Sequence, residues 1–224
     1  MPGTRSSIIF AFIAVLSLTG AECVFVAKSG SSSKTDDRED EQTSNLVVII
    51  RDGRFIDAPV EGLAYRSGTL SGFTGPDGEF QYEAGRTVRF SIGDLELGRA
   101  VAGKAVITPL DLVPDGSVDS TAVINIARLL QSLDSVPGDD RITVPAAVSA
   151  AAVRSNEALY AAITHLDFGD DVVFTNAAAQ LVATLTSGYP FTAALVDAPQ
   201  ARTHLLRSLA AAGTEAATVD RPLD

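Results

Sequence analysis

Residues 59–98, PVEGLAYRSGTLSGFTGPDGEFQYEAGRTVRFSIGDLELG, constrain the fold more than any other part of the chain. Val88, Phe90 and Ile92 are apolar and are separated by Arg89 and Ser91. That period-two alternation predicts a strand with one buried face. Phe80 and Tyr82 alternate about Gln81 in the same way. Between Thr74 and Phe80 stands Gly75-Pro76-Asp77-Gly78. Proline presets one turn dihedral and glycine supplies positive φ, so this segment predicts a hairpin turn. Glu83-Ala84-Gly85 and Gly93-Asp94 mark the next two reversals. Short strands at this spacing predict a small antiparallel sandwich.

The flanks extend the same reading. Leu46–Ile50 is a largely β-branched run that predicts the first strand, and Asp52-Gly53 follows it as a turn. Ala100–Ile107 is a further candidate strand. Pro109 cannot donate a ladder hydrogen bond, which suits a strand end. The predicted β-sandwich domain spans residues 46–113.

From Ser117 the apolar period changes to three and four. Asp119 or Ser120 can cap a helix. Val123, Ile126, Leu130 and Leu133 share one face, widened by Ile124 and Leu129, while Arg128 and Gln131 are expected to face away. Asn125 falls mid-helix, where it either bonds a neighbouring loop or stands solvated. A second helix is predicted from Pro145, with Leu159, Ile163 and Leu166 inward. A third follows Thr175, with Leu181, Val182 and Leu185 inward and Gly188 as its stop. A last helix runs from about Ala198 to Ala212, with Leu205, Leu206 and Leu209 inward and Gly213 closing it. The α-helical region is therefore predicted over 117–213 and a loose tail over 214–224. The fold class is α+β, an N-terminal antiparallel β-sandwich followed by a C-terminal helical region.

The N-terminus reads as export. Arg5 followed by the apolar run Ile8–Leu16 has the pattern of a signal peptide, over residues 1–22. Three endings fit. Thr19-Gly20-Ala21 suits ordinary cleavage after Ala21. Leu18–Cys23 resembles a bacterial lipobox, in which Cys23 would be lipidated, although Glu22 stands where that motif carries a small residue. Ile8–Ala27 is close to the roughly 20 residues that a bilayer span requires, with Glu22 as a costly inclusion. Residues 28–45, KSGSSSKTDDREDEQTSN, hold no apolar side chain and cannot offset their chain entropy by burial, so 23–45 is expected to be a disordered polar tether.

Charge narrows the partners. The formal net charge is −11, with 28 acidic against 17 basic residues, which argues against nucleic acid because phosphate binding needs clustered Lys and Arg. The absence of Trp weakens a carbohydrate-stacking reading. A lone cysteine excludes an intrachain disulfide.

Two resemblances add to this. Val60-x-Gly62, Thr74 and Asp77-Gly78-x-Phe80-x-Tyr82, followed by a glycine turn and an alternating strand, resemble carboxypeptidase-regulatory-like, prealbumin-type sandwich modules. Ile107–Val113 followed by Val123–Asp134 resembles a family of uncharacterised proteobacterial envelope lipoproteins and adhesin-like proteins, over about residues 56–145. The resemblance implies an exported domain held at the outer membrane, periplasm or cell surface, with a structural or binding role. Family members often carry an Asp-rich loop after this helix that looks like a calcium site, since Ca²⁺ takes several carboxylate and carbonyl oxygens. Here Asp134, Asp139 and Asp140 remain as candidate calcium ligands. Val136 replaces a second Asp, Arg141 adds positive charge, and the loop is shorter. The alternative reading of these acids is a capped, solvated turn.

No catalytic motif stands out. The two histidines, His165 and His204, lie on predicted helices beside apolar stripes. There is no H-E-x-x-H, G-x-S-x-G or phosphate-binding glycine loop. Asp170-Asp171 and Asp139-Asp140 are adjacent acids that suit caps and turns. The chain is expected to be a non-enzymatic, lipid-anchored envelope protein that contacts the membrane through Cys23 and an unidentified surface partner. The rival readings are an accessory domain or chaperone for an exported enzyme, and a small hydrolase whose site is assembled from distant residues.

Overall fold

The computed structural model describes residues 23–26 and 47–219, with side chains described over 47–213. The signal peptide expected over 1–22 and the polar stretch 27–45 lie outside the described residues. The described strands are β1 (Cys23–Val26), β2 (Val47–Phe55), β3 (Val60–Glu61), β4 (Ala64–Ser67), β5 (Leu70–Phe73), β6 (Glu79–Glu83), β7 (Thr87–Ile92), β8 (Leu95–Glu96), β9 (Val101–Ala102), β10 (Val106–Ile107) and β11 (Ile142–Thr143). The helices are α1 (Thr121–Ser132), α2 (Ala146–Ala151), α3 (Glu157–His165), α4 (Asp171–Leu185) and α5 (Ala198–Val219). The fold is mixed α+β, with β11 falling between α1 and α2.

β2 is the spine of one sheet. It pairs antiparallel with β1 through Val47–Ile50, antiparallel with β6 through Ile50–Arg54, and parallel with β10 through Arg54–Phe55. The tether was expected to begin at Cys23, but Cys23–Val26 is a strand in register with Ile50–Val47. A second sheet runs β5-β4-β7-β8, with β9 also on β7. The parallel pairs, β10 with β2 and β11 with β3, depart from the all-antiparallel expectation.

The Gly75–Gly78 turn forms, with Gly78 at φ +76 and its N–H donated to the Gly75 carbonyl at 2.9 Å. It does not close a hairpin. β5 pairs with β4 and β6 with β2, so the turn carries the chain from one sheet to the other. Thr74 explains the difference. Its hydroxyl donates to the Val60 carbonyl and accepts from Leu63 N, which ties the end of β5 to the β3–β4 connection. The β7–β8 turn at Gly93-Asp94 is a true hairpin, with Ile92 opposite Leu95. The strand expected over 100–107 is split at Gly103, where the backbone crosses the Tyr82 ring and an added Cβ would lie 2.2 Å from a ring carbon.

The alternating residues do face inward. Phe90 is fully buried and meets Phe55 at 4.8 Å and Phe80 at 5.1 Å between ring centroids, both edge to face. Such pairs add to burial because a ring's positive edge meets a negative face. The same core continues through Ile126, Leu129, Leu159, Phe174 and Leu181 of the helices. β11 adds to β3, so the helical half also shares backbone hydrogen bonds with the β half.

α1 departs from the one-faced helix that its pattern predicts. Val123, Ile126, Leu130 and Leu133 are fully buried as expected. Arg128, expected outward, is 6% exposed, and Asn125 is 1% exposed. α4 and α5 both pack on α1 and cover the flanks that the sequence assigned to solvent. Asn125 Nδ2 donates to the Phe168 carbonyl at 3.0 Å, which is the loop-bonding alternative. The single helix expected from Pro145 breaks into α2 and α3. The break is docked on the β hairpin, where Asp94 N donates to the Ala152 carbonyl at 2.8 Å. α4 starts at Asp171, ahead of Thr175. α5 passes through Gly213 to Val219, where a stop was expected. Leu206, assigned inward by pattern, is 39% exposed.

Candidate functional site

The most unusual chemistry lies where the end of β2 meets α1 and α5. Beyond Phe55 the chain turns sharply, with an isolated bridge between Ile56 and Pro59. Ala58 sits at φ +54, a conformation that costs a non-glycine residue on the order of 1 kcal/mol. The turn drives Asp57 between the helices, and its side chain is completely buried. A buried carboxylate must be paired, because losing its hydration costs several kcal/mol.

Both oxygens of Asp57 are satisfied. Oδ2 accepts from Gln131 Nε2 of α1 at 3.0 Å, and Oδ1 lies 3.1 Å from His204 Nδ1 of α5. Gln131 also donates to the Ala201 carbonyl at 3.3 Å, tying α1 to α5 at the same point. The hydrogen bond to Asp57 holds the His204 pKa above the ordinary histidine value. Burial and Arg207 oppose that shift, while the charges of Asp57 and Asp134 assist it.

With Nδ1 on Asp57, the other ring nitrogen of His204 is the one left for exchange with a ligand or solvent. His204 and Arg207 line an open groove of about 760 Å³, together with Arg54, Asp139, Asp140 and Arg141. An oriented Asp–His pair beside a groove is able to move a proton or bind an anion. Ser208, one turn further along, lines the same groove, but its hydroxyl donates to the His204 main-chain carbonyl at 3.1 Å.

The residues singled out by sequence are dispersed. Asp134 Oδ1 accepts from Val136 N and Thr143 N, an arrangement that closes the loop after α1. Asp139 accepts from Arg141 N and lies 3.6 Å from its guanidinium. Asp139 and Asp140 reach the groove, whereas Asp134 is not among its lining residues. Among the described residues, no group of three or more His, Cys, Asp and Glu side chains is placed to hold a metal ion. Asp170 caps α4, accepting from Val172 N and Val173 N. Asp171 meets Arg128 at 2.9 Å. His165 is exposed at the end of α3. The backbone of Cys23 pairs with Ile50, and its side chain lies outside the described ones.

Sequence reasoning missed Asp57 and assigned Gln131 to solvent. The available signal was local: a single acid between Phe55-Ile56 and Ala58-Pro59-Val60, all apolar. Such a residue is either a turn acid or a buried one, and only its partners on α1 and α5 decide which.

No protein-family model matches the chain, and no solved structure matches it significantly. Among the described residues, no helix is long and apolar enough to cross a membrane. Over 101 residues, 44% of this chain, the sequence is 29% identical to an Escherichia coli (strain K12) protein described as "Putative lipoprotein AcfD homolog". The chain spans 6% of that relative's length.

Proposed function

We propose that this chain is an exported cell-envelope protein, anchored by lipid on Cys23, that acts by binding or as a structural module. The observation that carries this reading is the similarity of 44% of the chain to a protein described as a lipoprotein. The only cysteine, which follows an apolar run with a basic start, agrees with it. In this reading the β half is a prealbumin-type sandwich module, which its two sheets around Phe55, Phe80 and Phe90 favour. The role is adhesin-like. The test is the intact mass of the mature protein from membrane and soluble fractions. A membrane-bound species beginning at Cys23, heavier by a diacylglycerol and an acyl chain, supports the anchor. An unmodified soluble species beginning at Glu22 would overturn it.

A second reading, a hydrolase with a site assembled from distant residues, is favoured by the contact of Asp57 with His204 at 3.1 Å. Its test is turnover of chromogenic carboxylic and phosphoric esters by the wild type and by His204→Gln. Turnover that is lost in the variant supports it, and no turnover by the wild type removes it.

A further inference from the structure

The outward face of the β5-β4-β7-β8 sheet carries a second feature, separate from the seam. Two cross-strand rows define it. In one, Phe73, Ala64, Ser91 and Glu96 lie side by side. In the other, Ser71, Arg66 and Arg89 do. Ala64, Ser71 and Ser91 are small and leave a trough of about 740 Å³. Phe73 stands at its edge and is 60% exposed, on a sheet whose other aromatics are the half-buried Tyr65 and the buried Phe90.

The charges of this trough are not arranged for stability alone. Arg66 and Arg89 are directly opposite each other, and like charges at such positions are destabilising. Glu96 offsets Arg89 at 2.6 Å. Among the described residues, no carboxylate or hydrogen-bond partner engages the Arg66 guanidinium. A third arginine arrives from the helical half. The segment after α2 is fixed to the hairpin by Asp94, whose N–H donates to the Ala152 carbonyl and whose Oδ2 accepts from Arg154 N at 2.8 Å. Gly93 makes that approach feasible, since a Cβ there would lie 2.3 Å from the Ala152 oxygen. The docking brings exposed Arg154 to the rim of the trough. Three arginines against Asp94 and Glu96 leave a surplus of one positive charge at the trough, in a chain of net charge −11.

We infer that this trough is a binding site for a small oxyanion carried on a flat apolar body, such as a phosphate or carboxylate on a ring. Arginine recognises both anions through its planar fork. The exposed Phe73 ring supplies the face on which the ligand body stacks. The inference does not depend on lipid anchoring, and the mass of Cys23 leaves it untouched.

The test is calorimetric titration of the full chain with phenyl phosphate, benzoate and inorganic phosphate at low salt. Phenyl phosphate or benzoate is expected to bind, with about a tenfold loss of affinity in Arg66→Gln and in Arg154→Gln, since each removes one charge-assisted pair. Phe73→Ser is expected to weaken phenyl phosphate while leaving inorganic phosphate unchanged. Arg99→Gln, an exposed arginine outside the trough, is expected to change nothing. Which of the two ring-borne probes binds more tightly assigns the anion. Absence of binding by both, or equal binding by wild type and Arg66→Gln, would overturn the site. Adhesion to phosphatidylglycerol vesicles without any response to the small probes would also overturn it, assigning the charge to a membrane surface instead.

Discussion

Asp57 and His204 stand 147 positions apart, and Oδ1 of one lies 3.1 Å from Nδ1 of the other. The contact ties the end of β2 to α5. Apart from it, α5 rests on the Gln131 bond to the Ala201 carbonyl, on a small satellite cluster of Val123, Ala127, Ala201 and Leu205, distinct from the main core, and on an exposed ion pair of Arg202 with Asp119. Much of the seating of α5 therefore depends on polar contacts rather than on the main core.

Removing one partner of a buried pair leaves the other uncompensated. Asp57→Ala is expected to destabilise the protein by about 2–3 kcal/mol, below the usual cost of breaking a fully buried pair because His204 is half-exposed. Urea denaturation measures this. Native-state hydrogen exchange is expected to show the loss first in α5. Uniform loss across the fold would contradict the clasp.

The same contact sets a pH dependence. The folded pKa of His204 is raised above 6.5. Its stabilisation is then fully present below about 6.5, the unfolded value, and is lost as pH rises through the folded pKa. Melting temperatures of the wild type are expected to fall relative to His204→Gln across that alkaline window. Parallel curves would sink the prediction.

Glu83 gives the acid limb. Hydrogen bonds from the Thr69 hydroxyl and the Thr69 N–H hold its pKa below 4.5, assisted by Arg86 and opposed by burial. Its contribution is present above about 4.5 and is lost as pH falls through the lower folded value. Thr69→Val is expected to shrink that contribution, so the difference in melting temperature between wild type and variant narrows at low pH.

Arg128 is held by more bonds than any ion pair on the surface. Its guanidinium reaches the Val196 carbonyl, Asn125 Oδ1, Asp171 and Thr175, and lies 5.1 Å from the centre of the Phe174 ring. Arg128→Met keeps much of the apolar stem but strands Asn125 and the Val196 carbonyl. A loss of about 2–4 kcal/mol in chemical denaturation is expected. Arg128→Lys recovers part of it at most, because an ammonium lacks the planar fork.

Calcium has a clear expected outcome. Asp134 Oδ1 already accepts two backbone N–H groups and Asp139 is engaged by Arg141, so the ion would have to displace both arrangements. Millimolar calcium is expected to leave the melting temperature unchanged. A rise that Asp139→Asn and Asp140→Asn abolish would show that the loop does gather around the ion.

Much of the fold was legible because it rests on local rules. Val88, Phe90 and Ile92 announced a half-buried strand, and all three are fully buried. The helix over 121–132 was visible from Val123, Ile126 and Leu130. Turn residues at 75–78 were read correctly as a turn and wrongly as a hairpin. A turn signal says that the chain reverses, while strand pairing depends on which edge is free, and Thr74 had already committed β5 to β4.

The candidate site was far less legible. Arg128 and Gln131 were given to solvent because a helix pattern assigns polar residues to water by default, and for Asn125 the pattern left a loop bond and solvent both open. That default fails when a second and a third helix cover the remaining faces, as α4 and α5 do here. Asp57 carries no periodic signature at all, and its meaning comes from residues 74 and 147 positions away.

The sequence by itself determined the alternation, the turns, the helix stripes, the acidic balance and a lone cysteine behind an apolar run, since each depends on neighbours within a few residues. Only the tertiary structure decided which sheet each strand joined, that the two halves share one core, and that Asp57 is buried against His204. Burial and pairing are properties of the packed chain: the cost of desolvating a carboxylate is offset only where distant segments bring it donors, and no local spacing records that meeting.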